Sequence, residues 1–173
     1  AGDNRYLKRR SYDRLIQNLM DKQKLSISKG EIPMSLEANK AVVRREIDFW
    51  NGHDAEKIDE VYADDYVGHE INGSHGGSRD QVKQAAAAIF AGFPDMHLTA
   101  DAIIAEGDKV VKLWTVRGTH KAEYMGIPAT GKEIVVTGCN VFRIVGDKVA
   151  ECWAHTDSLG MMQQLGVIPP MGG

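Results

Sequence analysis

Ile134-Val-Val-Thr-Gly-Cys-Asn-Val-Phe-Arg-Ile-Val-Gly-Asp-Lys-Val-Ala-Glu-Cys-Trp-Ala-His-Thr-Asp157 is the stretch that decides the fold. Its β-branched and aromatic residues run in two blocks with Gly146-Asp147 between them, a two-residue loop of the kind that joins antiparallel strands. Taken without interruption, the hairpin sets Val145 against Lys148, Ile144 against Val149, Phe142 against Glu151, Asn140 against Trp153, Gly138 against His155 and Val136 against Asp157. Cross-strand partners share a face. One face then gathers Ile134, Val136, Phe142, Ile144 and Trp153 around Asn140, His155 and Asp157. The other holds Val135, Thr137, Cys139, Val141, Ala150, Cys152 and Ala154. The bulkier face suits a layer of helices and is read as the inner one. A one-residue bulge reverses that reading for part of the strand.

Upstream lies a similar hairpin, Leu98–Ala105 and Val110–Thr119, turning at Glu106-Gly-Asp-Lys109. Residues 121–132 are too rich in Gly and Pro for a strand interior. Before Met96 the pattern is helical. Ser35 reads as the N-cap of a helix over 36–50, with Ala38, Val42, Val43, Ile47 and Trp50 as its apolar stripe. Asp54 caps a short second helix, residues 64–70 form a brief extended piece, and Ser78-Arg-Asp-Gln81 is a capping box opening a third helix that Phe93-Pro94 ends. Helices first and a meander of strands afterwards predicts an α+β fold, with helices covering one face of a curved antiparallel sheet.

The chain has 173 residues, 43% hydrophobic, enough for one domain with a sizeable core. Residues 1–33 carry eight Lys/Arg and four Asp/Glu, against a net charge of −3 overall. Tyr12, Leu15, Ile16, Leu19 and Met20 recur there at helical spacing. The expected organisation is an amphipathic helical arm and linker over 1–33 and one domain over 34–173. The arm is read as docking on its own domain or on a partner subunit. The mildly acidic balance gives no basis for a nucleic-acid partner. The longest apolar runs fall far short of the ~20 residues of a membrane span. With no apolar core of a signal peptide near its start, the chain is expected to be soluble and cytoplasmic. Cys139 and Cys152 have neither metal-ligand nor disulfide-scaffold spacing and read as free thiols. No His or acidic spacing is a ligand motif, so no metal is expected.

Several segments together resemble the SnoaL-like polyketide (ester) cyclase family. They are Asp65-Tyr-Val-Gly-His69, Phe93-Pro-Asp95, Arg117-Gly-Thr-His120, Met125-Gly-Ile-Pro-Ala-Thr-Gly-Lys132, Phe142-Arg-Ile-Val-Gly-Asp-Lys148 and Leu159-Gly-Met-Met-Gln-Gln-Leu-Gly166. The resemblance spans about residues 36–168. It implies an NTF2-like cone: three helices packed in a strongly curved antiparallel sheet, a deep apolar pocket, and a homodimer through the outer sheet face. For activity it implies cofactor-free enolate chemistry, an intramolecular aldol cyclisation or isomerisation of a small apolar carbonyl compound, with an acidic residue of the last strand as acid/base. Where that strand often reads Trp-Asp-x-x-Asp in the family, this chain has Trp153-Ala-His-Thr-Asp157. The second acid is kept as Asp157; Ala154 stands at the first.

Asp157 and His155 are accordingly the expected catalytic pair, since a carboxylate or an imidazole in an apolar cavity suits removal of a proton next to a carbonyl. Asn140, Trp153, Tyr66, His69, His120 and Phe142 are the expected substrate-binding residues. A competing reading makes Asp157 only the cap of the helical turn that follows it. Two rival functions stand beside the cyclase reading: a non-catalytic ligand-binding or dimerising module, and an epoxide or ester hydrolase in which His155 and Asp157 activate water in the same pocket.

Overall fold

The computed structural model describes residues 35–69 and 77–169. The amphipathic helix expected before residue 34 lies outside the described residues. Helix α1 spans Leu36–Gly52, a 3₁₀ turn follows at Ala55–Glu60, then β1 at Tyr62–His69, α2 at Arg79–Gly92, β2 at His97–Glu106, β3 at Lys109–Thr119, β4 at Glu133–Val145, β5 at Lys148–Thr156 and α3 at Ser158–Leu165. The five strands form one sheet in the order β1-β5-β4-β3-β2. β2 to β5 are a plain antiparallel meander, and β1 adds to the far edge parallel to β5. The α+β arrangement expected from the sequence is therefore the one observed, and the extended piece around residue 66 is a full eight-residue strand.

The helix ends form where the side chains dictate. Ser35 accepts from the Ala38 N–H, and Ser78 and Gln81 close a reciprocal capping box, each satisfying amide donors that have no partner inside the helix. Gly107 and Gly146 take positive φ (58° and 57°) at the first position of the two hairpin turns, a conformation glycine adopts without steric cost. Asn51, at the end of α1, fixes the helix to β2 through its amide: Nδ2 donates to the Leu98 carbonyl at 3.0 Å, and Oδ1 accepts from the Leu98 N–H at 2.7 Å. Edge-to-face rings of Phe49, Trp50 and Phe90 join α1 to α2 over the sheet.

The β4–β5 register departs from the uninterrupted hairpin. Val145 pairs with Lys148 and Ile144 with Val149, as the turn requires, but Arg143 then pairs with Glu151, Phe142 with Cys152, Val141 with Trp153, Asn140 with Ala154, Cys139 with His155 and Gly138 with Thr156. Ala150 is the extra residue of a β-bulge. Val149 and Ala150 are both buried, which a regular strand does not allow for neighbours. Beyond the bulge every side chain of β5 changes face. Cys152, Ala154 and Thr156 point inward, and Trp153 and His155 point outward. The expected inward placing of Trp153 and His155 is thus reversed by one inserted residue.

Candidate functional site

A cavity of about 400 Å³ lies between the inner sheet face and the helices. Most of its wall is apolar, including Ile89, Phe93, Val116, Ile134 and Val136. Its polar groups come from both the sheet and the helices. On the sheet they follow directly from register: Lys112 of β3, Asn140 of β4 and Ala154 of β5 form one row straight across the inner face. The adjacent row is Trp114, Gly138 and Thr156. Gly138 is required here, because a Cβ at this position would run into the Trp114 indole and the His155 carbonyl.

From the helix side, Glu46 of α1 reaches down to this row. Its Oε2 accepts from Lys112 Nζ at 2.5 Å, and its Oε1 from Trp50 Nε1 at 2.8 Å and the Tyr62 hydroxyl at 3.4 Å. The Lys112 and Glu46 side chains are 1% and 2% exposed, and Lys112 Nζ lies 5.4 Å above the Phe142 ring. These are the two formally charged residues among those lining the cavity. Burying each ion costs several kcal/mol, which close pairing offsets only in part.

The remaining polar groups are neutral. Burial pushes the Tyr62 hydroxyl well above its ordinary pKa, with the nearby Glu46 carboxylate adding to the effect. Burial and then Cys152 raise Tyr66. The Cys152 thiol is pushed up to about 12, chiefly by burial. At neutral pH all three keep their protons. Asn140 is oriented at both ends of its amide: Oδ1 accepts from Trp114 Nε1, and Nδ2 donates to Cys152 Sγ at 3.2 Å.

The structure brings only some of the residues expected from sequence to this cavity. Asn140 and Tyr66 line it. Phe142 is fully buried beneath Lys112. His120 is fully buried behind the wall, stacked on Phe93, with Nδ1 3.1 Å from Thr130 Oγ1. His69 and Trp153 stack on each other at 4.4 Å, and His69 Nε2 lies 2.8 Å from Glu151 Oε2. Arg143 Nε also binds Glu151, and Lys109 Nζ lies 5.1 Å from the Trp153 ring centre, so these residues form an ion and ring network of their own. His155 is exposed beside Cys139 on the outer sheet face. Asp157 is also exposed and caps α3, its Oδ1 accepting from the Gly160 N–H at 2.8 Å. Neither His155 nor Asp157 lines the cavity.

Glu46 and Lys112 were not among the sequence candidates. Their signal was positional. Glu46 falls four residues after Val42 and three after Val43, on the buried stripe of its helix. Lys112 alternates with Val110 and Trp114 on the inner face of β3.

A family model of SnoaL-like polyketide cyclases matches residues 40–165. Among solved structures, AclR of Streptomyces galilaeus, a candidate hydroxylase, is 27% identical with a TM-score of 0.72 over 80% of this chain and 87% of its own. IdmH of Streptomyces antibioticus, a candidate polyketide cyclase, is 29% identical with a TM-score of 0.65 over 74% of this chain and 98% of its own. A SnoaL-like protein of Jannaschia sp. CCS1, at 22% identity and a TM-score of 0.68 over 80% and 99%, shares the fold. A comparison with curated protein sequences finds no match. No helix of the described residues is long and apolar enough to cross a membrane. With its curved sheet, helix-covered cavity and matching sequence pattern, this chain belongs to the SnoaL-like polyketide cyclase family and has the NTF2-like fold.

Proposed function

We propose that the cavity binds a small, largely apolar ketone or related carbonyl compound and catalyses enolate chemistry on it, with Glu46 as the base and Lys112 as the group that stabilises the enolate. The observation that carries this reading is the Glu46–Lys112 pair, the charged groups of a mostly apolar cavity wall. Buried, closely paired charged groups lining a concave apolar site are candidates for acid/base chemistry. Ala154 faces the same row through Asn140, so the β5 position where the family often has an acid supplies a methyl group here. A carboxylate enters instead from α1.

The chemistry follows from the positions. Glu46 takes the proton next to the substrate carbonyl, and charge moves onto the carbonyl oxygen. The Lys112 ammonium stabilises that charge where water is excluded, with the Asn140 amide and the neutral Tyr66 hydroxyl as further donors on the same wall. Intramolecular attack of the enolate carbon on a second carbonyl then closes a ring; reprotonation at a different carbon isomerises. No step calls on a metal or cofactor. His155 and Asp157 have no part in it, and the hydrolase reading, which needs them to activate water inside the cavity, is not carried forward.

The test uses α-tetralone in deuterated buffer, followed by NMR. The native protein is expected to accelerate deuterium uptake next to the carbonyl, and Glu46→Gln to slow that uptake by about a hundredfold. Equal rates in the two proteins would remove Glu46 as the base. A second reading, a ligand-binding module without catalysis, draws on the engagement of both Glu46 oxygens by Trp50, Tyr62 and Lys112. Quenching of Trp50 and Trp114 fluorescence by α-tetralone with no exchange above buffer selects it. We also propose that the outer sheet face, where Leu113 and Val135 are 43% and 39% exposed, joins two copies. Light scattering of Leu113→Glu checks this, a mass unchanged from the native protein counting against it.

A further inference from the structure

We infer that Lys112 is a nucleophile as well as a hydrogen-bond donor: its amine condenses with aldehydes, ketones and 1,3-diketones in the cavity to form an iminium. The inference rests on the carbonyl-binding reading above and adds a covalent step to it. Three observations lead there. First, Lys112 is 1% exposed and is among the residues lining the cavity, so bulk solvent is all but excluded from it. Second, an ammonium has three donors, and among the described residues Glu46 is its one hydrogen-bond acceptor, with the Phe142 ring as its other neighbour. Donor capacity is left for a ligand. Third, Glu46 Oε2 is 2.5 Å from Nζ, within reach to take the proton that must leave before the nitrogen lone pair can attack. The carboxylate gives the departing proton a place to go within the pair itself.

The step balances within this pair. Glu46 accepts a proton from the ammonium; the freed amine adds to the carbonyl carbon, forming the C–N bond, and Glu46 returns the proton to the former carbonyl oxygen. A second proton from nitrogen leaves with that oxygen as water. The products are an iminium at Lys112, one water and the Glu46 carboxylate. The iminium sharpens the acidity of the neighbouring C–H, so the same carboxylate generates an enamine, the neutral counterpart of the enolate, and hydrolysis releases product. No oxidant or reductant takes part.

The probe is acetylacetone, whose iminium loses a proton to give an enaminone with strong near-ultraviolet absorbance. Full-length protein is expected to gain the mass of one diketone less one water, with peptide mapping placing it on Lys112 ahead of the surface lysines. Lys112→Arg is expected to abolish the absorbance and Glu46→Gln to slow it by about tenfold or more. The mapping on native protein needs no variant to fold. Label on surface lysines with Lys112 untouched, while α-tetralone still exchanges, overturns the covalent step and leaves the enolate reading standing. Labelled Lys112 without α-tetralone exchange does the reverse. If neither compound reaches the cavity, both readings fall.

Discussion

Removing one member of the Glu46–Lys112 pair should be far more damaging than removing the charge of both. In Lys112→Met the Glu46 carboxylate, 2% exposed, keeps Trp50 and Tyr62 as donors but loses its counter-ion. In Glu46→Gln an ammonium at 1% exposure loses its counter-ion. Stranding a buried charge in this way costs about 3–5 kcal/mol. The double variant Glu46→Gln/Lys112→Met strands none: the Gln oxygen still accepts from Trp50, and the methionine fills the lysine stem's volume. What is left is one side-chain amide without a full set of partners, about 1–3 kcal/mol. Two singles at about 4 kcal/mol each against a double at about 2 kcal/mol give a coupling well beyond the ~0.5 kcal/mol scatter of independent sites. Urea unfolding of the four proteins, analysed with a common slope, measures all the terms. Single variants whose costs simply add in the double would refute the claim that these two charges stabilise each other.

Three further outcomes are expected. Asp157→Ala should cost about 1 kcal/mol through loss of the α3 cap, and neither it nor His155→Ala should change α-tetralone exchange; a large loss of exchange in either would return the chemistry to β5. Gly138→Ala should destabilise by about 1–3 kcal/mol by displacing the Trp114 indole, seen as a lower urea midpoint together with altered tryptophan fluorescence. His69 first and Arg143 second hold the Glu151 carboxyl below its ordinary pKa of 4.5. A depressed folded-state pKa makes its contribution complete above about 4.5 and progressively lost as pH falls toward the folded value. The fall in stability on acidification below that point should therefore be shallower in Glu151→Gln, and identical slopes would count against the linkage.

The architecture was readable because local signals agreed with one another. Ser35 and Ser78 marked helix starts, Gly107 and Gly146 marked turns, and the change from helical to period-two patterning came at Met96. The site was not, for two physical reasons. The turn at Gly146-Asp147 specifies only the first pairs of the hairpin, and Val149-Ala150 is apolar at both positions, so nothing in the residues signals that the second is an insertion. Every assignment after it, from Cys152 to Thr156, inherits the choice. Glu46 and Lys112 were passed over because a charged residue in an amphipathic pattern is normally solvated; only their phase, in step with Val42 and Val43 and with Val110 and Trp114, marked them as inward. Asn140 is legible because β4 alternates regularly from Ile144 through Phe142 to it, and the insertion lies on the partner strand.

The bulge at Ala150 has a bearing on how this strand can change over time. Past it, β5 carries two complete sets of side chains, Cys152, Ala154 and Thr156 on one side and Trp153 and His155 on the other, and a single residue decides which set meets the cavity. Pairing Ala150 with Arg143 instead of leaving it as an insertion would exchange a thiol, a methyl and a hydroxyl for an indole and an imidazole in one step, with the hairpin turn and the rest of the meander unaltered. Point substitution would need several changes to do as much. The strand thus keeps an alternative pocket wall in reserve on its solvent side, one register step away from use.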